Sequence, residues 1–262
     1  MFILGIDFET QDDKPATTNV TEVGASLWHK DATNVFRKVD GLSVFCYDPT
    51  YASQSKKIVE ITGITDEMLE TEGIPVGEAL EKRLFPLMEK ATHIFAHKKA
   101  FDKTILYARC KELGLEPPER EWICTLTEFA WPKKYTCHKL SHLAYEHGIL
   151  VDPRTLHRAE NDCDLMMRLI TEHYDIAEVV AYAKEPWIYF RADVLGPWQD
   201  NGVQNGIAKN AGFSWEKCKG TEGPVWSKKW VARFKARDVE AMLKLIEESE
   251  SPFRVSRIEG IS

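Results

Sequence analysis

The chain opens on Met1-Phe2-Ile3-Leu4-Gly5-Ile6, an apolar, β-prone run that stops at Asp7. Such a run reads as a buried strand that delivers an acidic residue to its own end. Residues 20–28 and 35–45 are strand-like as well, rich in β-branched and aromatic side chains and bounded by polar or glycine-containing turns, which suggests a meander of three strands. The pattern then changes to helix, strand, helix. Residues 76–90 carry Ala79, Leu80, Leu84, Leu87 and Met88 on one stripe, 92–96 is a short apolar strand, and 103–113 is a helix closed by Gly114. A strand at 122–126 and helical stretches near 139–147, 155–174 and 176–184 complete a mixed α/β fold with a central sheet.

At 262 residues, and with about 150 residues per domain, one or two domains are expected. The helical run stops around Lys184-Glu185-Pro186, and the boundary is placed there: a first domain of 1–183 and a small α+β module of 184–262. In the module we read strands at 187–194, 213–217, 225–230 and 252–258 with helices at 203–211 and 237–248. The formal net charge of -7 excludes a uniformly basic nucleic-acid coat, so any polyanion site must be local. The charge divides unevenly, with 13 Lys and Arg against 11 Asp and Glu in the module and 21 against 30 before it. No stretch approaches 18 apolar residues, so no membrane span is expected. Six cysteines without a C-x-x-C pair read as scattered thiols in a reducing cytoplasm.

Asp7 and Glu9 are two residues apart at a strand end, so both carboxylates fall on one face. Two later clusters add to them: 97–102, which places Asp102 near a helix start, and 157–162, which brings His157 and places Asp162 inside a helix. Four carboxylates and a histidine make a site for hard divalent cations, two Mg²⁺ with Mn²⁺ as a substitute. A pair of such ions can activate a water and steady the leaving oxygen of a phosphodiester. His157 is the natural general base, since histidines titrate near pH 6.5.

These three clusters, Asp7-Phe8-Glu9-Thr10, 97–102 and 157–162, resemble in order and separation the three motifs of the DnaQ-like (DEDDh) 3′-to-5′ exonucleases. Secondary matches are Glu22-Val23-Gly24, Thr62-Gly63-Ile64-Thr65 in the following loop, and residues 140–148. Trp122-Ile123-Cys124-Thr125 with Trp131-Pro132 looks most like the exodeoxyribonuclease X group. The resemblance covers about residues 1–175. It implies a ribonuclease H-like fold, Asp7, Glu9, Asp102 and Asp162 as metal ligands, His157 as activator of the water, and nucleoside 5′-monophosphates as product. Thr10, Lys98 and Phe101 then fall at the substrate. Lys98 stands where the family usually has Asn, which suits pairing with a phosphate or with one of the acids. Thr10 is followed by Gln11-Asp12 rather than the common Gly-Leu.

The module resembles the C-terminal module of some exodeoxyribonuclease X-like proteins. Between residues 223 and 237 it has no acid, while Lys228, Lys229, Arg233, Lys235 and Arg237 interleave with Trp226, Trp230 and Phe234. Lys228, Lys229, Trp230 and Arg233 are its candidate contacts to phosphates and unpaired bases, whereas Trp215 and Trp226 read as core. His138, His142 and His147 lack a metal-site pattern and read as a helix surface. His97, at a strand end, reads as a hydrogen-bonded supporting residue. The expected activity is a 3′-5′ exodeoxyribonuclease acting on single-stranded DNA or DNA 3′ ends. The alternatives are an exoribonuclease, a proofreading subunit that docks to a polymerase or repair partner, and a non-catalytic nucleic-acid-binding scaffold.

Overall fold

The structure, a computed structural model, describes residues 1–132, 134–135, 137–194, 212–219, 226–248 and 253–258; of residues 193–194, 214–219, 226–231 and 253 only the backbone is described. The chain forms two compact units, Met1–Ala183 and Lys184–Ser262.

The first unit is built on a five-stranded sheet in the order β3-β2-β1-β4-β5. The opening run becomes β1 (Phe2–Thr10) at its centre, paired antiparallel to β2 (Val20–Lys30) and parallel to β4 (His93–Ala96). On the far sides lie β3 (Phe36–Phe45), antiparallel to β2, and β5 (Glu121–Cys124), parallel to β4. This is the expected mixed sheet, and the meander β1 to β3 is its antiparallel half. The strand expected over 122–126 begins and ends earlier, at Glu121 and Cys124.

Alternation along β1 decides everything that follows. Leu4, Ile6 and Phe8 enter one core with Leu80, Leu84, Ile105 and Leu106. Ile3 enters the other with Phe95, Met166, Met167 and Ile170. Gly5 lies on this second face, and a Cβ there would stand 2.9 Å from Met167 Cγ, so the helix that carries Met167 can lie directly on the strand. Asp7 and Glu9 continue the same face beyond its apolar part.

Helices cover both faces. α1 (Lys56–Thr62) and α2 (Asp66–Glu72) flank the loop formed by Gly63, Ile64 and Thr65. Gly63 closes α1 at φ 70°, and the Thr65 hydroxyl accepts the Met68 N–H to cap α2. The stripe over 76–90 is one helical run in three parts, α3 (Val76–Glu78), a widened π segment (Ala79–Leu84) and α4 (Phe85–Lys90). The widening abuts Pro86, which has no N–H to return to the preceding turn.

The helix expected from 103 starts earlier, as α5 (Lys99–Leu113), and so contains Asp102 in its first turn. After α6 (Leu140–Glu146), residues 153–155 form a single 3-10 turn, and α7 (Ala159–His173) starts four residues later than the periodicity suggests. α8 (Ile176–Lys184) ends the unit. Among the described residues no helix is long and apolar enough to cross a membrane. The described cysteine side chains Cys46, Cys110, Cys124, Cys137 and Cys163 are free thiols.

The second unit holds a four-stranded sheet in the order β7-β8-β6-β9, formed by β6 (Trp187–Val194), β7 (Ser214–Lys219), β8 (Trp226–Lys235) and β9 (Phe253–Ile258). β8 runs longer than the expected 225–230. The helix α9 (Val239–Glu248) places Met242 and Ile246 against Phe190, Ala192 and Phe213 in a small core. The helix read at 203–211 lies outside the described residues.

Candidate active site

The carboxyl ends of the parallel strands β1 and β4 open into a cleft of about 860 Å³, the usual place for a site in an open α/β sheet. Asp7, Glu9, Lys98, Phe101, Asp102, His157 and Asp162 all line it. Three parts of the chain converge here. β1 presents Asp7 and Glu9, the first turn of α5 presents Asp102, and the first turn of α7 presents Asp162. One oxygen each from Asp7, Glu9 and Asp162 can be chosen so that all lie within 4.8 Å of one another. Asp102 stands outside this triplet, near enough that its charge acts on both Asp7 and Glu9.

The acids are crowded and short of donors. Burial first, then repulsion from Asp102, Glu9, Asp162 and Glu22, holds the Asp7 carboxyl well above the ordinary range. Glu9 is raised to about 8 by burial and by Asp162, Glu22 and Asp102, with Arg158 pulling the other way. Burial raises Asp102 to about 7 against the pull of backbone N–H groups and of Lys98. Asp162 is raised by burial as well, opposed by His157. Oδ1 of Asp102 and Oδ1 of Asp162 are buried and meet no hydrogen-bond donor. Buried polar atoms normally have partners, and an all-oxygen set of repelling carboxylates is what a hard divalent cation satisfies. The residues present therefore fit such an ion.

His157 sits at the exposed lip of the cleft, in the left-handed region at φ 59°. That conformation costs a non-glycine residue about 1–2 kcal/mol, so the flanking structure must enforce it. Its backbone N–H donates to Asp162 Oδ2 at 3.3 Å. Nothing in the sequence marks this strain, because histidine carries no turn signal.

Also lining the cleft, Lys98 holds its ammonium 4.9 Å from the centre of the Phe101 ring. Thr10 differs from expectation. It is buried, it does not line the cleft, and its hydroxyl donates to the Asp12 carbonyl at 2.6 Å. The β1–β2 register shifts between Glu9 and Thr10, and alternation turns Thr10 away from the face of the acids.

His97 behaves as the supporting residue expected. Its Nε2 donates to the His138 carbonyl at 2.8 Å, while burial lowers its pKa and leaves Nδ1 to accept from the Thr125 hydroxyl at 3.0 Å. His138 is accordingly part of the cleft wall, not a helix surface. His147 also departs from that reading. Packed beside Trp131, Tyr135 and Tyr174, it donates from Nδ1 to the Leu143 carbonyl and meets the Tyr174 hydroxyl at 2.6 Å. The aromatic cluster draws it inward, which its spacing along α6 cannot reveal.

Glu22 and Gly24, quoted above only as a motif match without a role, hold the site together. A Cβ on Gly24 would lie 2.2 Å from the Ala159 carbonyl carbon, so only glycine lets α7 cross β2 here. Glu22, directly opposite Glu9, is buried and accepts from Arg158, the Ala159 N–H and Ser43. The signal was Glu22-Val23-Gly24, whose role only the contact with α7 discloses.

A mixed sheet of this order with clustered acids at its carboxyl edge has the ribonuclease H-like arrangement. Residues 4–170 match the exonuclease family (RNase_T), and the chain belongs to that family. No curated protein sequence matches it. Solved structures share its fold. The nuclease domain of 3'hExo, a DEDDh family member bound to rAMP, superposes with a TM-score of 0.53 at 17% identity, over 65% of this chain and 90% of that one. A 3'-exonuclease recognising the histone mRNA stem-loop gives 0.54 at 17% identity, over 65% and 80%. E. coli Exonuclease I in complex with a dA16 oligonucleotide gives 0.57 at 12% identity, over 95% and 70%.

Proposed function

We propose that this exonuclease is a metal-dependent 3′-5′ exodeoxyribonuclease that shortens single-stranded DNA or DNA 3′ ends and releases nucleoside 5′-monophosphates. The observation that carries the reading is the convergence of Asp7, Glu9, Asp102 and Asp162 in one cleft with His157 at its lip. The four acids would hold two Mg²⁺, or Mn²⁺ in their place. Bound there, the ions supply water activation and neutralise charge that builds on the phosphodiester.

The chain's own residues do the rest. His157 accepts the proton of the attacking water from the open side of the cleft. The bond from its N–H to Asp162 ties that acceptor to the acids. Phe101 offers a ring to the terminal base, and Lys98 beside it offers a positive charge to a phosphate. Thr10 acts only through the β1 terminus, since its hydroxyl is engaged.

DNA as substrate is supported by the exodeoxyribonuclease X-like residues Trp122–Thr125 and Trp131-Pro132 and by the oligonucleotide in the Exonuclease I structure. RNA is the second reading, favoured by the rAMP and histone mRNA stem-loop in the other two structures. In the second unit Arg233 is exposed and packs 4.5 Å from the Trp187 ring. With Lys228, Lys229 and Trp230, whose side chains lie outside the described ones, it would grip the substrate strand. A polymerase or repair partner bound there is the competing role, and co-purification with a polymerase would show it. The free thiols support a cytoplasmic setting.

The deciding experiment follows 5′-labelled DNA and RNA strands of one sequence in Mg²⁺ and in Mn²⁺, with Asp7→Asn as control. A ladder shrinking from the 3′ end on DNA is expected. Preferential shortening of RNA would transfer the enzyme to RNA trimming, and no cleavage of any strand would leave a nucleic-acid-binding scaffold.

A further inference from the structure

The contacts of Glu22 have no counterpart among the acids of the cleft. Its Oε2 accepts from Arg158 Nε and from the Ala159 N–H, each at 3.1 Å. Its Oε1 accepts from Arg158 Nη2 at 3.2 Å and from the Ser43 hydroxyl at 2.7 Å. The carboxylate is fully buried, and the Arg158 guanidinium also lies 4.9 Å from the Phe45 ring. A carboxylate with this many donors, including both prongs of an arginine, is a rigid anchor. It grips the two residues that immediately follow His157, the residue forced into the left-handed region. On the other side of the same strap, the His157 N–H is held by Asp162. Gly24 lets the strap come down onto β2 at this level, because any Cβ there would collide with Ala159.

We infer that Glu22, acting through Arg158 and Ala159, is the positioning residue that sets His157 over the acid cluster. The assignment rests on the exonuclease reading above and adds to it a residue that touches neither substrate nor metal. The strap is spanned by two anchors, and β2 carries one of them. Releasing it lets residues 156–158 relax out of the left-handed turn, so the imidazole leaves the lip while the acids of β1 and α5 stay where they are. The loss falls on turnover and not on substrate binding.

The test is a double-mutant cycle on the full chain. Glu22→Gln keeps the shape of the buried side chain, and Arg158→Ala removes a residue whose side chain already reaches solvent. Each is assayed alone and in a His157→Ala background under steady-state conditions with 5′-labelled strand and Mg²⁺, with thermal melts as the check on folding. Each single variant is expected to lower kcat by about tenfold with KM changed by less than about twofold. In the His157→Ala background both effects should disappear. The same fold-loss in both backgrounds, or a rise in KM with kcat unchanged, would overturn the proposal, since Glu22 would then act on the acids, the fold or the substrate. A wild-type enzyme inactive on every strand would instead remove the role of His157 itself, and with it that of its anchor.

Discussion

Glu9 and Glu22 face each other across β1 and β2, the same residue type at one register position, and their surroundings are opposite. Glu22 is surrounded by donors from Arg158, Ala159 and Ser43. Glu9, with Asp7 and Asp162, is surrounded by other acids, and no hydrogen bond to its carboxylate is found among the described residues. The difference separates two uses of an acid in an α/β fold. Supplied with donors, it fastens a loop to a sheet. Denied them and crowded with its own kind, it stays poised for a cation.

The largest effects are expected at the crowded acids. Asp7→Asn or Asp162→Asn should lower exonuclease activity by roughly three orders of magnitude or more in Mg²⁺, read as the rate of shortening of a labelled strand. Full activity in either variant would mean that the cluster is not the reaction centre. His157→Ala should cost about 10²–10⁴-fold in kcat in the same assay, the range for a lost general base.

Acidity sharpens the contrast without any substrate. The crowded acids are raised in the folded state, Glu9 to about 8 and Asp102 to about 7. The folded protein thus binds more protons than the unfolded chain above the ordinary carboxylate range. The stability they confer is complete below about pH 4 and is lost as pH rises through about 7–8. Calorimetry of the cation-free protein should show Tm falling by about 5–10 °C between about pH 5 and pH 9, with Mg²⁺ reversing the fall. A Tm that rises over that interval in chelator would contradict the crowding.

Smaller effects probe the anchored side and the second unit. Gly24→Ala should destabilise the fold by about 1–3 kcal/mol, measured by urea unfolding, because α7 must lift off β2. A neutral result would mean that α7 crosses β2 less closely. Arg233→Ala should reduce the slope of log affinity against log salt by about one on single-stranded DNA and leave turnover at saturating substrate nearly unchanged. An unaltered slope would assign the second unit to another partner.

Much of this was legible in residues alone. The apolar opening of β1, the two-residue spacing of Asp7 and Glu9, and the association of Asp102 and Asp162 with helices are consequences of short-range geometry, because alternation and helical period are properties of the local backbone, whereas the helix starts that put both acids in first turns were not legible. Thr10 went the other way: it was expected at the substrate, yet the register shift after Glu9 and a bond to Asp12 settle its direction. The helices at 56–72 escaped because they are short and rely on their caps, Ser55, Gly63 and Thr65, rather than on a long apolar stripe.

A central buried strand, the acids at its end and the chemistry those acids can support follow from the order of residues alone. Which acids are crowded and which is paired follows from packing between distant parts of the chain. Glu9 and Glu22 are indistinguishable as letters, and their roles diverge because the start of α7 and the residue before it, more than a hundred residues downstream of both, lay Arg158 against one and Asp162 beside the other. An acid's solvation depends on what the whole chain packs around it, and no local pattern carries that information.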